Sequence, residues 1–330
     1  MTSAPSDPAP WTPSESEPRE ASSPSVETPL ESPIFTGTFD GSYVTEEAYG
    51  ARFSLRIRRL LHEERSSFQK IAVYESEEFG NVLTLDDLVM LTERDEFVYH
   101  EMLTHVPLLS LSDPKSVLII GGGDCGCIRE VLRHPVERIV QCEIDERVTR
   151  VCEEHFPWVR EVVADSRVEL VFDDGAEFLR RHRGEFDLVI IDSTDPTGPA
   201  LGLFTPEFYR SAAASLRPGG ALVAQTESPH YAPELVGRIY ERIGTAFAHT
   251  HLYVGSIPTY PSGYWTWAYA SNDRQPHDDF DEERAVQIGD ECLYYQPELQ
   301  RGAFALPAFV KRALAGDDPF ARFRPEASDA

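Results

Sequence analysis

The 330-residue chain has almost no lysine. Lys70, Lys115 and Lys311 are the only three, and 56 acidic residues against 30 basic ones give a formal net charge of −26. Such an excess disfavours nucleic acid and anionic membrane surfaces as partners and favours cations. Two explanations stay open: an exterior suited to a salt-rich cytosol, which is the simpler, or attraction of a polycationic substrate. Long hydrophobic runs are missing as well. No window approaches the roughly 18 consecutive apolar residues of a membrane span. The N-terminus has neither a basic stretch nor an apolar one of the secretory type, so a cytoplasmic location is expected. Cysteine is scarce. Cys125, Cys127, Cys142, Cys152 and Cys292 are odd in number without a repeated CxxC spacing, which argues against a disulfide framework or a zinc ribbon and for reduced thiols.

What is present falls into three parts. Residues 1–33 hold eight prolines, eight serines and one basic residue, too little apolar surface to offset the entropy of ordering, so an acidic disordered tail is expected there. From about Tyr43 to Met90, short alternating runs around a Phe-Gly-Asn turn predict antiparallel strands, and the spacing of Phe97, Met102, Leu103 and Val106 predicts a helix that Pro107 breaks or kinks. Residues 34–110 are thus expected to form a β domain with a connecting helix. After Pro114, strand-like runs (SVLIIGG, RIVQCEID, RVELVF, FDLVIIDS, ALVAQTES) alternate with amphipathic helices, and HLYVGSIPTY and WTWAYAS read as closing strands. That pattern over 111–330 predicts an α/β domain whose parallel sheet is covered on both faces and binds ligands at the carboxyl ends of its strands.

The loops at those ends carry the chemistry. Glycines 121 to 123 follow a strand and open a helix, where backbone approaches a ligand closely, and Glu143 ends the next strand, where a carboxylate can accept from both ribose hydroxyls. This pairing admits NAD enzymes and adenosylmethionine enzymes alike. Asp124 discriminates between them. A carboxylate at that helix N-terminus repels a pyrophosphate, and equally the amino-acid carboxylate of adenosylmethionine, but suits a donor ending in an ammonium. Its plain alternative is an N-cap, and one side chain can serve both ends. Asp174-Gly175 ends a third strand and can accept from the adenine amine. In FDLVIIDSTDPTGP, Asp192 ends a buried strand and Asp195 follows it; two carboxylates there require a cation, either a metal or a diamine. Neither a histidine pair nor an EF-hand spacing lies nearby, so no metal is expected.

The motifs YHEM, GGGD, DSTDPTGP and IPTYPSG occur in that order, and the matching text spans about residues 41–313. With them the chain resembles the polyamine aminopropyltransferases, the spermidine synthase family. The resemblance implies a Rossmann-like, class I methyltransferase-like doubly wound sheet with a small N-terminal antiparallel β domain, and a homodimer or homotetramer. It implies that Gln69, Asp124, Glu143, Asp174, Gly175 and Pro199 hold decarboxylated S-adenosylmethionine as co-substrate, with no prosthetic group and no metal. Tyr99, His100, Asp124, Asp192, Asp195 and Tyr260 would line the site of the diamine acceptor, with Asp192 as general base and Gln225 and Glu227 as neighbours. The expected reaction is aminopropyl transfer to putrescine, with agmatine, cadaverine or spermidine as alternative acceptors. An amine N-methyltransferase and a silent polyamine-binding relative are the readings from other classes. Four positions depart from the family pattern. Cys125 and Asp87 stand where it has glycine, Met90 stands where it has a site-lining glutamine, and Cys127 is the fourth.

Overall fold

The computed structural model describes residues 35–196 and 198–323, so the tail expected over 1–33 lies outside them. The alternating runs form six strands in chain order: β1 (Thr36–Phe39), β2 (Tyr43–Ala48), β3 (Ala51–Arg65), β4 (Lys70–Ser76), β5 (Asn81–Leu85) and β6 (Leu88–Thr92). Each pairs antiparallel with the next, and the β4–β5 hairpin turns at Gly80, whose φ is +68°. The period of two sorts the side chains onto two faces. Ala72, Tyr74 and Val82 join Val44, Leu55 and Val89 on one side, while Ile71, Val73, Leu83 and Leu85 enter the main core on the other.

α1 (Glu96–Ser110) follows, buried along almost its whole length. Pro107 does not end it: the helix runs three residues further. Packing of α1 against the following sheet compensates for the amide hydrogen that proline lacks.

The second sheet has seven strands: β7 (Ser116–Gly121), β8 (Arg138–Glu143), β9 (Val168–Phe172), β10 (Phe186–Asp192), β11 (Leu216–Glu227), β12 (His249–Gly255) and β13 (Trp265–Ser271). Their spatial order is β12-β13-β11-β10-β7-β8-β9; the five from β11 to β9 are parallel, and β13 runs antiparallel to both its neighbours. The apolar run Val117, Leu118, Ile119 and Ile120 is buried on both faces, each side chain contributing on the order of 1.5–3 kcal/mol. Among the intervening helices are α2 (Gly126–Val131), α3 (Glu146–His155), α4 (Pro157–Val163), α5 (Gly175–Arg181), α6 (Pro206–Ser215) and α7 (Pro233–Gly244). β11 begins at Leu216, earlier than the ALVAQTES run suggested. A register shift opposite Phe186 to Leu188 and a positive φ at Gly219 let the Pro-Gly-Gly segment join the strand.

The winding reverses between β7 and β10, and a crevice opens there at the strands' carboxyl ends. The N-terminal sheet is tied to its rim. Ser66 Oγ and Gln69 Nε2 donate to Asp145 Oδ2 at 2.6 and 3.1 Å, Asn81 Nδ2 donates to the His155 carbonyl, and Arg147 pairs with Glu64.

Candidate active site

Gln69, Tyr99, His100, Asp124, Glu143, Asp174, Gly175, Asp192 and Tyr260 line one cavity in this crevice. Asp195 and Gln225 line an adjoining cavity that shares Met90, Tyr99 and Tyr260 with the first. The Pro199 side chain lies outside the described residues. The loops after β3, β7 and β12, the carboxyl ends of β8 to β11 and helix α1 therefore bring together nearly every residue singled out from the sequence.

The glycine loop makes room for side chains as well as for a ligand. Gly121 and Gly122 have φ of +84° and +67°, and a Cβ on them would lie 2.1 Å from the Asp192 carbonyl oxygen and 2.8 Å from Asp192 Oδ2. A Cβ on Gly126 would fall 2.2 Å from the His100 ring. The Gly122 amide donates to the Asp192 carbonyl at 2.8 Å, locking the loop to the end of β10.

Two carboxyl groups inside the cavity are pushed in opposite directions. Asp124 Oδ1 accepts from the Gly126 amide at 2.7 Å and from His100 Nε2 at 3.2 Å. Burial opposes its ionisation, but the His100 charge and hydrogen bond outweigh it and hold the Asp124 carboxyl below its ordinary value. Burial also disfavours charge on His100, yet Asp124 and Glu96 together raise it well above the ordinary histidine value, so the ring is an imidazolium. Its Nδ1 donates to Glu96 Oε2 at 2.6 Å, and Glu96 is held bidentately by Arg129 at 2.8 Å on each side. Both ring nitrogens of His100 are thus committed to carboxylates.

Asp192 is pushed the other way. Burial, and then the nearby Asp124 charge, raise it to about 6, against the opposing influence of His100, Tyr99 and Cys127. The Tyr99 hydroxyl donates to its Oδ1 at 2.8 Å and the Cys127 thiol to its Oδ2 at 3.2 Å. An ionised carboxylate thus sits beside one poised to exchange a proton near neutral pH, a separation typical of acid–base sites.

At the rim, Asp174 Oδ1 caps α5 by accepting from the Ala176 and Glu177 amides at 2.8 and 3.0 Å, and Gly175 is required because a Cβ there would lie 2.5 Å from Ile120. Glu143 accepts from the Asp145 amide at 2.8 Å, and burial raises its carboxyl to about 7. The Tyr260 hydroxyl donates to the Met90 carbonyl at 2.6 Å, which fixes one wall between the two cavities. Beyond that wall, burial raises the Asp195 carboxyl, and burial with the nearby Asp195 charge raises Glu227 well above its ordinary value.

The comparisons with known proteins fit this arrangement. Residues 96–282 match the family described as spermine/spermidine synthase domain, and residues 43–93 match the spermidine synthase tetramerisation domain. The chain belongs to the spermine/spermidine synthase family. It is 45% identical over 261 residues to a polyamine aminopropyltransferase of Thermoanaerobacter pseudethanolicus, covering 79% of this chain and 93% of that one. It is 43% identical to one of Clostridium beijerinckii, covering 83% and 98%. A spermidine synthase structure in complex with the transition state analogue AdoDATO superposes with a TM-score of 0.81 at 39% identity, covering 87% of this chain and 99% of that chain; the Thermotoga maritima spermidine synthase gives 0.78 at 38%, covering 87% and 98%. Like these relatives, the chain is a transferase. No helix among the described residues is long and apolar enough to cross a membrane.

Within this family, two of the four departures have one physical cause. Cys125 and Asp87 both lie in the left-handed region, at φ of +60° and +67°. Glycine occupies that region freely, whereas a side chain there costs about 1–2 kcal/mol. Asp87 is partly compensated by Lys70 Nζ at 2.9 Å. Met90 places a thioether between the two cavities.

The sequence reading missed Glu46, whose buried carboxyl accepts from the Val89 amide, lines the second cavity and is raised to about 8 by burial. Its signal was available: alternation in β2 puts Glu46 on the inward face with Val44 and Ala48. Glu96 and Arg129, which hold His100, carried no such signal.

Proposed function

We propose that this enzyme transfers the 3-aminopropyl group of decarboxylated S-adenosylmethionine to a diamine, putrescine above others, releasing 5'-methylthioadenosine and a proton. One observation carries the reading: Asp124 and Asp192, whose carboxyls are pushed in opposite directions, share one cavity at the switch point of the sheet. The AdoDATO complex of a related spermidine synthase supports it.

Gln69, Glu143, Asp174, Gly175 and Pro199 hold the nucleoside, and Asp124 holds the ammonium of the aminopropyl group. The acceptor enters the second cavity, where Glu46 and Asp195 retain its distal ammonium, and presents its other nitrogen to Tyr99, Tyr260 and Asp192. His100 takes part as the fixed cation beside Asp124. A free alkylammonium loses its proton at a pH of about 10, and the adjacent sulfonium lowers that affinity. Asp192 accepts the proton; the nitrogen attacks the methylene next to sulfur; the C–S electrons return to sulfur, leaving a neutral thioether. The 194–205 segment excludes water. No metal is needed for this step: His100, Cys127 and Asp192 bring donor atoms within 4.8 Å of one another, but both His100 ring nitrogens face carboxylates and the Cys127 thiol faces Asp192. The same chemistry on agmatine, cadaverine or spermidine remains the second reading, favoured by the two carboxyl groups that line the second cavity. We further propose a homodimer or homotetramer assembled through the N-terminal sheet of the 34–110 domain, acting in the cytoplasm without nucleic-acid or membrane partners.

The deciding experiment offers decarboxylated S-adenosylmethionine with each of these amines and identifies products by mass. Spermidine and methylthioadenosine from putrescine are expected fastest. Absence of any aminopropylated product sinks the proposal, and methylation from intact S-adenosylmethionine establishes the methyltransferase instead.

Two further outcomes are expected. Because Asp192 must be unprotonated in the free enzyme and its carboxyl is raised to about 6, kcat/KM for the donor falls as pH drops below about 6. A profile flat to pH 5 would contradict this. Asp195→Asn raises the acceptor KM about tenfold, a loss of about 1.4 kcal/mol, with little change in kcat, since Asp195 lines the second cavity and Asp192 the first. Steady-state kinetics against putrescine measures it, and an unchanged KM removes Asp195 from the acceptor site.

A further inference from the structure

The Cys127 thiol, which the reaction outlined above does not use, lies against its central carboxylate. Cys127 is the second residue of α2 and is fully buried. Its Sγ is 3.2 Å from Asp192 Oδ2, while the Tyr99 hydroxyl is 2.8 Å from Oδ1. Each oxygen of Asp192 therefore meets one neutral donor, from α2 on one side and α1 on the other. Gly122 makes this approach possible, because a Cβ there would crowd the same Oδ2 at 2.8 Å.

We propose that Cys127 is a positioning residue, whose S–H donates to Asp192 Oδ2, fixes the rotamer of the carboxylate with Tyr99, and sets its affinity for a proton. The consequence for transfer rests on Asp192 being the base; the hydrogen bond itself does not. Burial, and then the Asp192 and Asp124 charges, push the thiol well above its ordinary value, so it remains a donor throughout the working range and does not compete as nucleophile or base. The other groups acting on Asp192 are His100 from α1, Asp124 from the glycine loop, Glu143 from the end of β8 and Tyr260 from the segment after β12. Of these, Asp124 and Glu143 are acidic and only His100 is a cation. A neutral donor on Oδ2 supports the anion without adding a charge that would repel the cationic substrates.

The sign follows directly. A donor to the ionised form lowers the carboxyl's proton affinity, so removing it raises that affinity and moves the acidic limb of kcat/KM to higher pH. Cys127→Ala is expected to shift the limb upward by about half a pH unit, which is about a threefold loss of kcat/KM below it. Cys127→Val lacks the donor at a similar volume and serves if the alanine variant misfolds. Cys127→Ser restores a stronger donor and is expected to leave the limb at or below its wild-type position. Loss of packing alone changes melting temperature without separating serine from alanine and valine in this way.

Infrared spectroscopy of the folded wild-type enzyme supplies a readout independent of turnover. The S–H stretching band lost in Cys127→Ser is expected to shift as Asp192 is protonated, and to become insensitive to pH in Asp192→Asn. A Cys127 band that ignores pH overturns the proposal, whatever the rates do. A band that moves while the rate limb stays fixed in Cys127→Ala upholds the hydrogen bond and instead removes Asp192 as the base.

Discussion

Asp192→Asn lowers kcat by about 10²- to 10⁴-fold, the range over which a positioned base contributes, while affinity for decarboxylated S-adenosylmethionine stays within about threefold. The asparagine is isosteric and still accepts from Tyr99 through its carbonyl oxygen, so the cavity keeps its shape, while the oxygen that faces Cys127 gives way to an amide NH2 and the proton acceptor is lost. The effect is confined to a chemical step because the proposed mechanism gives Asp192 the acceptor nitrogen and Asp124 the donor's ammonium. Single-turnover kinetics with pre-bound donor separates the two, and unchanged turnover would exclude Asp192 as the base. The acidic limb should vanish together with the rate. A limb surviving in Asp192→Asn would have to be assigned to another group, of which Glu143, raised to about 7, is the nearest candidate.

Asp124→Asn alters the choice of donor. Removing this carboxylate leaves a buried ammonium without its counter-charge, which weakens decarboxylated S-adenosylmethionine by about 3 kcal/mol, or about 10²-fold. The same change removes the repulsion against intact S-adenosylmethionine, whose affinity rises, so the preference narrows from both sides. A second effect follows from the electrostatics. The Asp124 charge is among the causes that raise Asp192, so its loss moves the acidic limb of kcat/KM to lower pH even as donor binding weakens. His100 keeps its hydrogen bond to Glu96, which limits damage to the fold. Calorimetric titration with both donors tests the first effect and the pH profile the second. An unaltered ratio of donor affinities would show that Asp124 does not select the donor.

Much of this was legible in local pattern. The apolar run before GGGDCG, the alternation in KIAVYES and the order of strand and helix signals depend only on period and turn chemistry, and the two sheets follow them. Asp124 and Asp192 could be placed at strand ends for the same reason. Pro107 and the Pro-Gly-Gly of β11 resisted, because burial of α1 and a bulge in the sheet outweigh intrinsic preference. The two cysteines of the loop looked alike in sequence. In three dimensions one occupies a left-handed backbone position and the other touches Asp192.

The sequence by itself determined the fold class, the glycine loop and the acidic residues that end its strands, since each depends on neighbours a few positions away. Only the tertiary structure decided which of those acids are charged. That His100 sits between Glu96 and Asp124, that the Asp124 carboxyl is held below its ordinary value while that of Asp192 is raised, and that Glu46 lines the second cavity all depend on burial and on distances of about 3 Å, most of them between residues remote in the chain. Proton affinity is set by those two quantities, and neither is encoded in any short stretch of sequence.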